Sequence, residues 1–284
     1  MSVSDRTTPT GSAATGSRLA VEVHGVQKVF NPGRANQVDA LVDVNLTVST
    51  GQFVSLIGPS GCGKSTLLRL IANLTEPTSG SIMVNGKSAQ QARLHQDYGM
   101  AFQQSGLFDW RKVVKNIELP LELRGWDRVA RRNRSMEMLE LVKLQDFANH
   151  YPWELSGGMQ QRVAIARALA VDPPLLLMDE PFGALDEMTR EHMQAELTRI
   201  CEATGKTVIF VTHSIPEAVY LSNRVVVMSP RPGRITKLVD VELGLRIEDT
   251  RESSEFFKKI TEVREALRDI DSGGLPASHG IEDR

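Results

Sequence analysis

The sequence predicts an α/β protein whose sheet core is interrupted by a helical lobe. Three observations carry this. Short apolar runs that suit buried strands alternate with helical patterns along most of the 284 residues. One such run, residues 53–57, passes through a glycine-rich turn straight into an apolar helix over 65–74. From about 104 to 172 the patterning is helical, with no convincing strand.

Taken in order, residues 21–26 (Val-Glu-Val-His-Gly-Val) and 38–48 alternate apolar and polar side chains, as half-buried strands do. Glu76-Pro77-Thr78-Ser79-Gly80 has the turn chemistry that ends the first helix. Further strand candidates are 81–84, 98–102, 175–178, 207–211 and 225–228. In the lobe, 128–144 is charged and amphipathic, and 159–170 is a strong helix former that stops at Asp172-Pro173-Pro174. Ser229-Pro230-Arg231-Pro232-Gly233-Arg234 is a turn. A last helix is expected over 250–270, with an apolar stripe of Phe256, Phe257, Ile260, Val263, Leu267 and Ile270, closed by Gly273-Gly274. The domain reading is a disordered tail over 1–18, a main domain over 19–240 with the helical lobe at about 104–172, and a short helical extension and tail over 241–284.

Composition bounds the function. Apolar residues make up 41% and charged residues 24%, so a sizeable core can form. The net charge of −2 supplies no global basic excess for nucleic acid. The Ser/Thr/Gly/Ala-rich N-terminal run lacks the apolar core of a secretory signal. Residues 44–63 are uncharged but rich in glycine and polar residues, so they read as strand, turn and loop, not as a membrane span. If the protein works at a membrane, another chain crosses it. Two cysteines, Cys62 and Cys201, build no disulfide framework and suit a reducing cytosol.

Gly58-Pro59-Ser60-Gly61-Cys62-Gly63-Lys64-Ser65-Thr66 matches G-x-x-x-x-G-K-[ST] between a strand and a helix. Its glycines let the backbone curl so that N–H groups face phosphate oxygens. Lys64 can reach the outer phosphates, and the Ser65 hydroxyl can ligate Mg²⁺. The apolar run Leu175-Leu176-Leu177-Met178 ends in Asp179-Glu180. Carboxylates there are costly unless a cation or a proton occupies them. Asp179 is placed to hold Mg²⁺, and Glu180 to act as general base or to orient water against a γ-phosphate. Together these motifs indicate an ATPase or GTPase.

A second glycine-rich helix start, Leu155-Ser156-Gly157-Gly158-Met159-Gln160-Gln161-Arg162, lies about a hundred residues downstream. It resembles the signature of ATP-binding cassette (ABC) proteins, and the resemblance spans about residues 19–235 with the motifs in the family's order. It implies a P-loop (RecA-like) ATPase core with an inserted helical subdomain, the ABC nucleotide-binding domain. It also implies ATP and Mg²⁺ as ligands, and a head-to-tail homodimer. Ser156, Gly157 and Gly158 of one copy would then bind the γ-phosphate of an ATP held by the other copy's loop. The family's usual fifth signature residue is Gln, where this chain has Met159. By the same resemblance, Gln103 fits the glutamine that contacts Mg²⁺ or the attacking water, with Gln104 the weaker choice. Asp186, in Gly183-Ala184-Leu185-Asp186, fits a residue that reaches across the dimer. His213 fits the histidine that contacts the γ-phosphate. Phe30 fits the aromatic that stacks on adenine, with core packing the alternative. Leu107-Phe108-Asp109-Trp110-Arg111 reads equally as a contact surface for a membrane partner or as packing of the lobe.

The resemblance is nearest to nitrate, sulfonate and taurine importer ATPases. It implies a peripheral protein on the cytoplasmic side of the inner membrane, bound to separate permease subunits and served indirectly by a solute-binding protein, with no nucleic-acid partner. An exporter ATPase and a soluble, non-transport ABC ATPase are the alternatives. The region after Ile235 is too short for the large regulatory domain of several relatives, so no metabolite sensor of that kind is expected.

Overall fold

The computed structural model describes residues 18–244, 246 and 248–271. The expected N-terminal tail, but for Arg18, and the Gly273-Gly274 stop lie outside them.

The strands divide into two sheets rather than one. β1 (Leu19–Phe30), β2 (Val38–Ser49), β4 (Ser79–Val84) and β5 (Lys87–Ser88) form an antiparallel sheet in the order β2-β1-β4-β5. β3 (Phe53–Ile57), β6 (Tyr98–Ala101), β7 (Leu175–Asp179), β8 (Thr207–Val211), β9 (Arg224–Met228) and β10 (Ile235–Asp240) form the other, in the order β10-β9-β3-β8-β7-β6. In that sheet β3, β7 and β8 are buried at every residue. Strands covered on both faces read as continuous apolar runs, which is why the sequence shows no alternation there. Successive side chains nonetheless go to opposite faces. Val54, Leu56, Leu175, Leu177, Ile209 and Val211 join one core. Phe53, Ile57, Leu176, Met178, Val208 and Phe210 join the other.

The parallel register aligns the strand ends that matter. Leu56 and Asp179 both pair with Val211, so the loops after β3, β7 and β8 leave the sheet side by side. Ligands of open α/β sheets bind at such carboxyl ends. The loop after β3 leads into α1 (Lys64–Ile71).

No strand falls between 104 and 172, as the patterning required. The lobe holds α3 (Val113–Leu123), α4 (Arg128–Leu141) and α5 (Gly157–Ala170). Asp127 caps α4 through the Val129 and Ala130 N–H groups at 2.9 and 3.0 Å. α5 joins lobe and core: Val163, Leu139 of α4 and Ile117 of α3 belong to the same apolar cluster as Met178 of the sheet. After β7 come α6 (Glu187–Thr204) and, beyond β8, α7 (Ile215–Leu221).

Several elements differ from the sequence reading. A short helix, α2 (Ala89–Leu94), and the strands β5 and β10 went unread. The last helix is two pieces, a 3₁₀ turn at Glu248–Glu252 and α8 (Ser254–Asp271). Phe256, Ile260 and Val263 of the expected stripe are buried and Leu267 packs against the core, but Phe257 is 57% exposed. Ala266 takes the fourth buried position on that face. Among the described residues no helix is long and apolar enough to cross a membrane.

Candidate functional site

The turn after β3 is shaped by glycine. Gly63 caps α1 with φ of 106°, and a Cβ there would lie 2.6 Å from Leu41 Cδ2 and 3.1 Å from the Ala40 carbonyl. The turn opens onto a cleft of about 500 Å³ lined by Ser60, Gly61, Gly63, Lys64, Ser65 and Thr66. Gln103, Glu180 and His213 line it too, with Phe30, Val38, Ala40 and Arg231. Gly58, Pro59 and Cys62 of the loop do not line it. Lys64 is only 7% exposed, and its ammonium donates to the Gly58 and Pro59 carbonyls at 2.7 and 3.0 Å. Cys62 is fully buried, and its N–H donates to the Pro59 carbonyl at 3.3 Å. Both cysteines are free thiols, and burial pushes Cys201 up to about 12.

The acids at the end of β7 separate by environment. Asp179 is 3% exposed and accepts a hydrogen bond from Ser65 Oγ at 2.8 Å. Burial raises its carboxyl above the ordinary range, and the Ser65 hydrogen bond opposes this. Glu180 turns out of the strand with φ of 48°, a left-handed conformation uncommon for a residue with a side chain. Its N–H still donates to the Val211 carbonyl at 2.9 Å, which ties the turn to β8. Gln103 Nε2 donates to Glu180 Oε2 at 3.2 Å, and His213 Nδ1 lies 3.4 Å from the same oxygen. Two residues from just beyond the ends of β6 and β8 thus converge on the carboxylate of a third, just beyond β7, at the cleft wall. Gln103 meets Glu180 here, not the Ser65–Asp179 pair. A carboxylate so placed can take a proton from water, while the loop N–H groups and Lys64 can neutralise phosphate charge.

Phe30 is 39% exposed on the cleft, so it is not a core residue, and Lys28 Nζ sits 4.9 Å above its ring. Its open face suits a flat aromatic ligand. Ser65 Oγ and Asp179 Oδ1 are hard oxygen donors within hydrogen-bond reach of each other, a set that fits Mg²⁺. Among the described residues no cluster of three or more His, Cys, Asp or Glu could hold a metal by itself.

The second glycine-rich segment lies apart from this cleft. Ser156 caps α5, accepting from the Met159 N–H at 3.3 Å. Gly158 packs beside the turn before α6, where a Cβ would lie 3.3 Å from the Ala184 carbonyl. Asp186 caps α6 through the Thr189 N–H at 3.0 Å, a hydrogen bond that holds its carboxyl below the ordinary range. None of Ser156, Gly157, Gly158 and Asp186 lines the cleft of its own chain.

The residues that follow the signature tie α5 to the segment carrying Gln103. Gln161, 2% exposed, donates to the Phe102 carbonyl at 2.8 Å, and Arg167 donates to the Ser105 and Gly106 carbonyls at 2.8 and 2.9 Å. The 107–111 segment is divided: Leu107 packs against the core, while Trp110 is 74% exposed. Sequence reasoning missed Val38, Ala40 and Arg231. Arg231 donates to the Gly61 carbonyl at 3.3 Å, and Gly233 comes so near the phosphate loop that a Cβ would lie 2.0 Å from the Cys62 carbonyl. The only signal was the compact turn 229–234.

A family described as ABC transporter matches residues 41–183. The chain belongs to the ABC transporter family. The cassette is 46% identical over 252 residues to an uncharacterized ABC transporter ATP-binding protein, MJ0412, of Methanocaldococcus jannaschii, covering 89% of this chain and 92% of that protein. It is 48% identical to the taurine import ATP-binding protein TauB of Yersinia pestis bv. Antiqua, covering 73% of this chain and 80% of that protein. It is 44% identical to the aliphatic sulfonates import ATP-binding protein SsuB of Bacillus cereus, covering 90% and 98%. Among solved structures, the ATP-binding cassette MJ0796, in a dimeric post-hydrolysis state bound to ADP and Pi, aligns with a TM-score of 0.73 at 37% identity. That alignment covers 79% of this chain and all of the other. The cassette therefore has the ABC nucleotide-binding fold and is an ATP-hydrolysing ABC ATPase.

Proposed function

We propose that the cassette is the ATPase subunit of an importer for a small sulfonate-like anion and works as a head-to-tail homodimer. The convergence of Gln103 and His213 on Glu180 at the cleft wall is the observation that carries the hydrolytic part of this reading. In it, Phe30 stacks on adenine and the N–H groups of the loop 58–66 cradle the phosphates. Lys64 leaves the Gly58 and Pro59 carbonyls for the outer phosphates. Glu180 is the general base, His213 contacts the γ-phosphate, and Gln103 orients the attacking water against Glu180. Ser65 and Asp179 would hold Mg²⁺, which when bound neutralises charge on the β- and γ-phosphates. Ser156, Gly157 and Gly158 complete the site of the partner copy, with the positive end of α5 behind them. Asp186 reaches the partner at the same seam.

Import is supported by the names of the relatives: TauB and SsuB are import ATP-binding proteins. The sulfonate class comes from the same names, since no residue of a cassette touches the solute. On this reading the cassette sits peripherally at the cytoplasmic face of the membrane, beneath separate permease subunits fed by a solute-binding protein. The test is co-purification with its native partners, followed by ATPase measurement in proteoliposomes. Stimulation by taurine or an alkanesulfonate with its binding protein supports the proposal. A complex that exports, or a partner set without membrane subunits, contradicts it.

A further inference from the structure

A chain of hydrogen bonds runs from the C-terminal extension to the Thr212 hydroxyl and the Ser214 N–H, on either side of His213, and the reaction described so far does not use it. Arg251, in the 3₁₀ turn before α8, lays its guanidinium 3.7 Å from the Tyr220 ring centroid and donates through Nη2 to Gln194 Oε1. Gln194, 2% exposed on α6, donates through Nε2 to Glu217 Oε1 at 2.8 Å. Glu217, 8% exposed on α7, accepts at its other oxygen from Thr212 Oγ1. Thr212 Oγ1 in turn accepts from the Ser214 N–H at 3.0 Å. Thr212 and Ser214 flank His213.

Each link sets the polarity of the next. A carboxamide has one acceptor end and one donor end. Arg251, which can only donate, fixes the oxygen of Gln194 towards itself and so turns the NH₂ to Glu217. With both carboxylate oxygens of Glu217 engaged, the single hydroxyl proton of Thr212 points at Glu217. That leaves a lone pair of Thr212 for Ser214. Without Arg251 the Gln194 oxygen loses its donor, and the amide is held at its Glu217 end alone. Burial magnifies the effect, because an unmatched polar group here has no water to turn to.

We infer that Arg251 is a positioning residue for His213, acting through Gln194, Glu217 and Thr212, so that the C-terminal extension sets the turnover rate of a cleft it does not touch. The inference rests on the assignment of His213 to the γ-phosphate.

The test uses the purified full chain. Arg251→Ala is expected to lower kcat about tenfold, ~1.4 kcal/mol of transition-state stabilisation, with the KM for ATP unchanged. Amide hydrogen exchange should rise in 211–217 and stay native in 58–66. Arg251→Lys, which keeps a donor, should recover part of kcat. The double variant with His213→Ala should be no slower than His213→Ala alone, because both changes remove one contribution. Gln194→Met interrupts the same chain inside α6 at similar volume and should reproduce these effects even if Arg251→Ala folds poorly. Native kcat in Arg251→Ala and Gln194→Met beside a slow His213→Ala overturns the inference and leaves the His213 assignment standing. So does full additivity in the double variant, which would mark a general loss of stability. A native rate in His213→Ala removes that assignment, and the inference with it.

Discussion

Ser65 Oγ donates a 2.8 Å hydrogen bond to Asp179 Oδ1, joining the phosphate loop to the end of β7 across 114 residues of sequence. The carboxylate it meets is buried and held above its ordinary range by that burial. A carboxyl raised in this way keeps its proton longer in the folded chain than in the unfolded one. It therefore costs stability as pH rises through that range and it ionises.

Asp179→Asn removes the ionisable group and keeps an acceptor for Ser65. At neutral pH it should raise the nucleotide-free Tm, each 1 kcal/mol gained being worth about 2–4 °C at this size. ATP hydrolysis should be lost. The gain in Tm should shrink as pH falls and the native Asp179 takes its proton. Calorimetry from pH 4 to 8 measures this, and a variant of lower Tm at neutral pH contradicts it.

Glu180→Gln keeps the size of the side chain and removes the base. ATP should still bind, with turnover down by at least about a hundredfold, the usual scale for a general base. The variant should collect as an ATP-bound dimer on size-exclusion chromatography. Hydrolysis at the native rate would show that Glu180 is not the base.

Phe30→Ala removes an exposed ring that no core contact needs. Affinity for ATP should fall about 3- to 10-fold, in line with ~0.5–1.5 kcal/mol for an aromatic pair, with Tm unchanged. Fluorescence titration with a labelled ATP checks the first part and a melting curve the second.

Gly233→Ala puts a methyl where the Cys62 carbonyl stands 2.0 Å away. The phosphate loop must shift, at a cost of about 1–3 kcal/mol typical of overpacking. ATP affinity should fall together with Tm, although Gly233 lies outside the phosphate-loop motif. Native affinity would mean that the 229–234 turn does not brace the loop.

Legibility in sequence followed the range of the interactions. Lys64, Ser65, Asp179 and Glu180 stand at the junctions of short apolar runs with turns, so neighbouring residues reveal them. The buried parallel strands were plain for the same reason. β10 was not: it follows a proline- and glycine-rich turn, and five of the six residues of this edge strand are half-buried or exposed. The division into two sheets depends on pairing between distant strands, which no local pattern records. Arg231 meets Gly61 across 170 residues, and Arg251 meets Gln194 across 57. Neither arginine sits in a motif, so only the folded chain brings them into view. Ser156 was legible as a helix start, and its absence from its own cleft is what the structure adds.

That separation is the centre of the account, and mixed dimers test it most directly. A Ser156→Arg chain keeps a sound phosphate loop, and a Lys64→Ala chain keeps a sound signature. Each alone should fail to trap ATP. Mixed, they should form one intact composite site and recover nucleotide trapping in the heterodimer. Failure of the mixture to trap, or trapping confined to homodimers, would contradict the head-to-tail site.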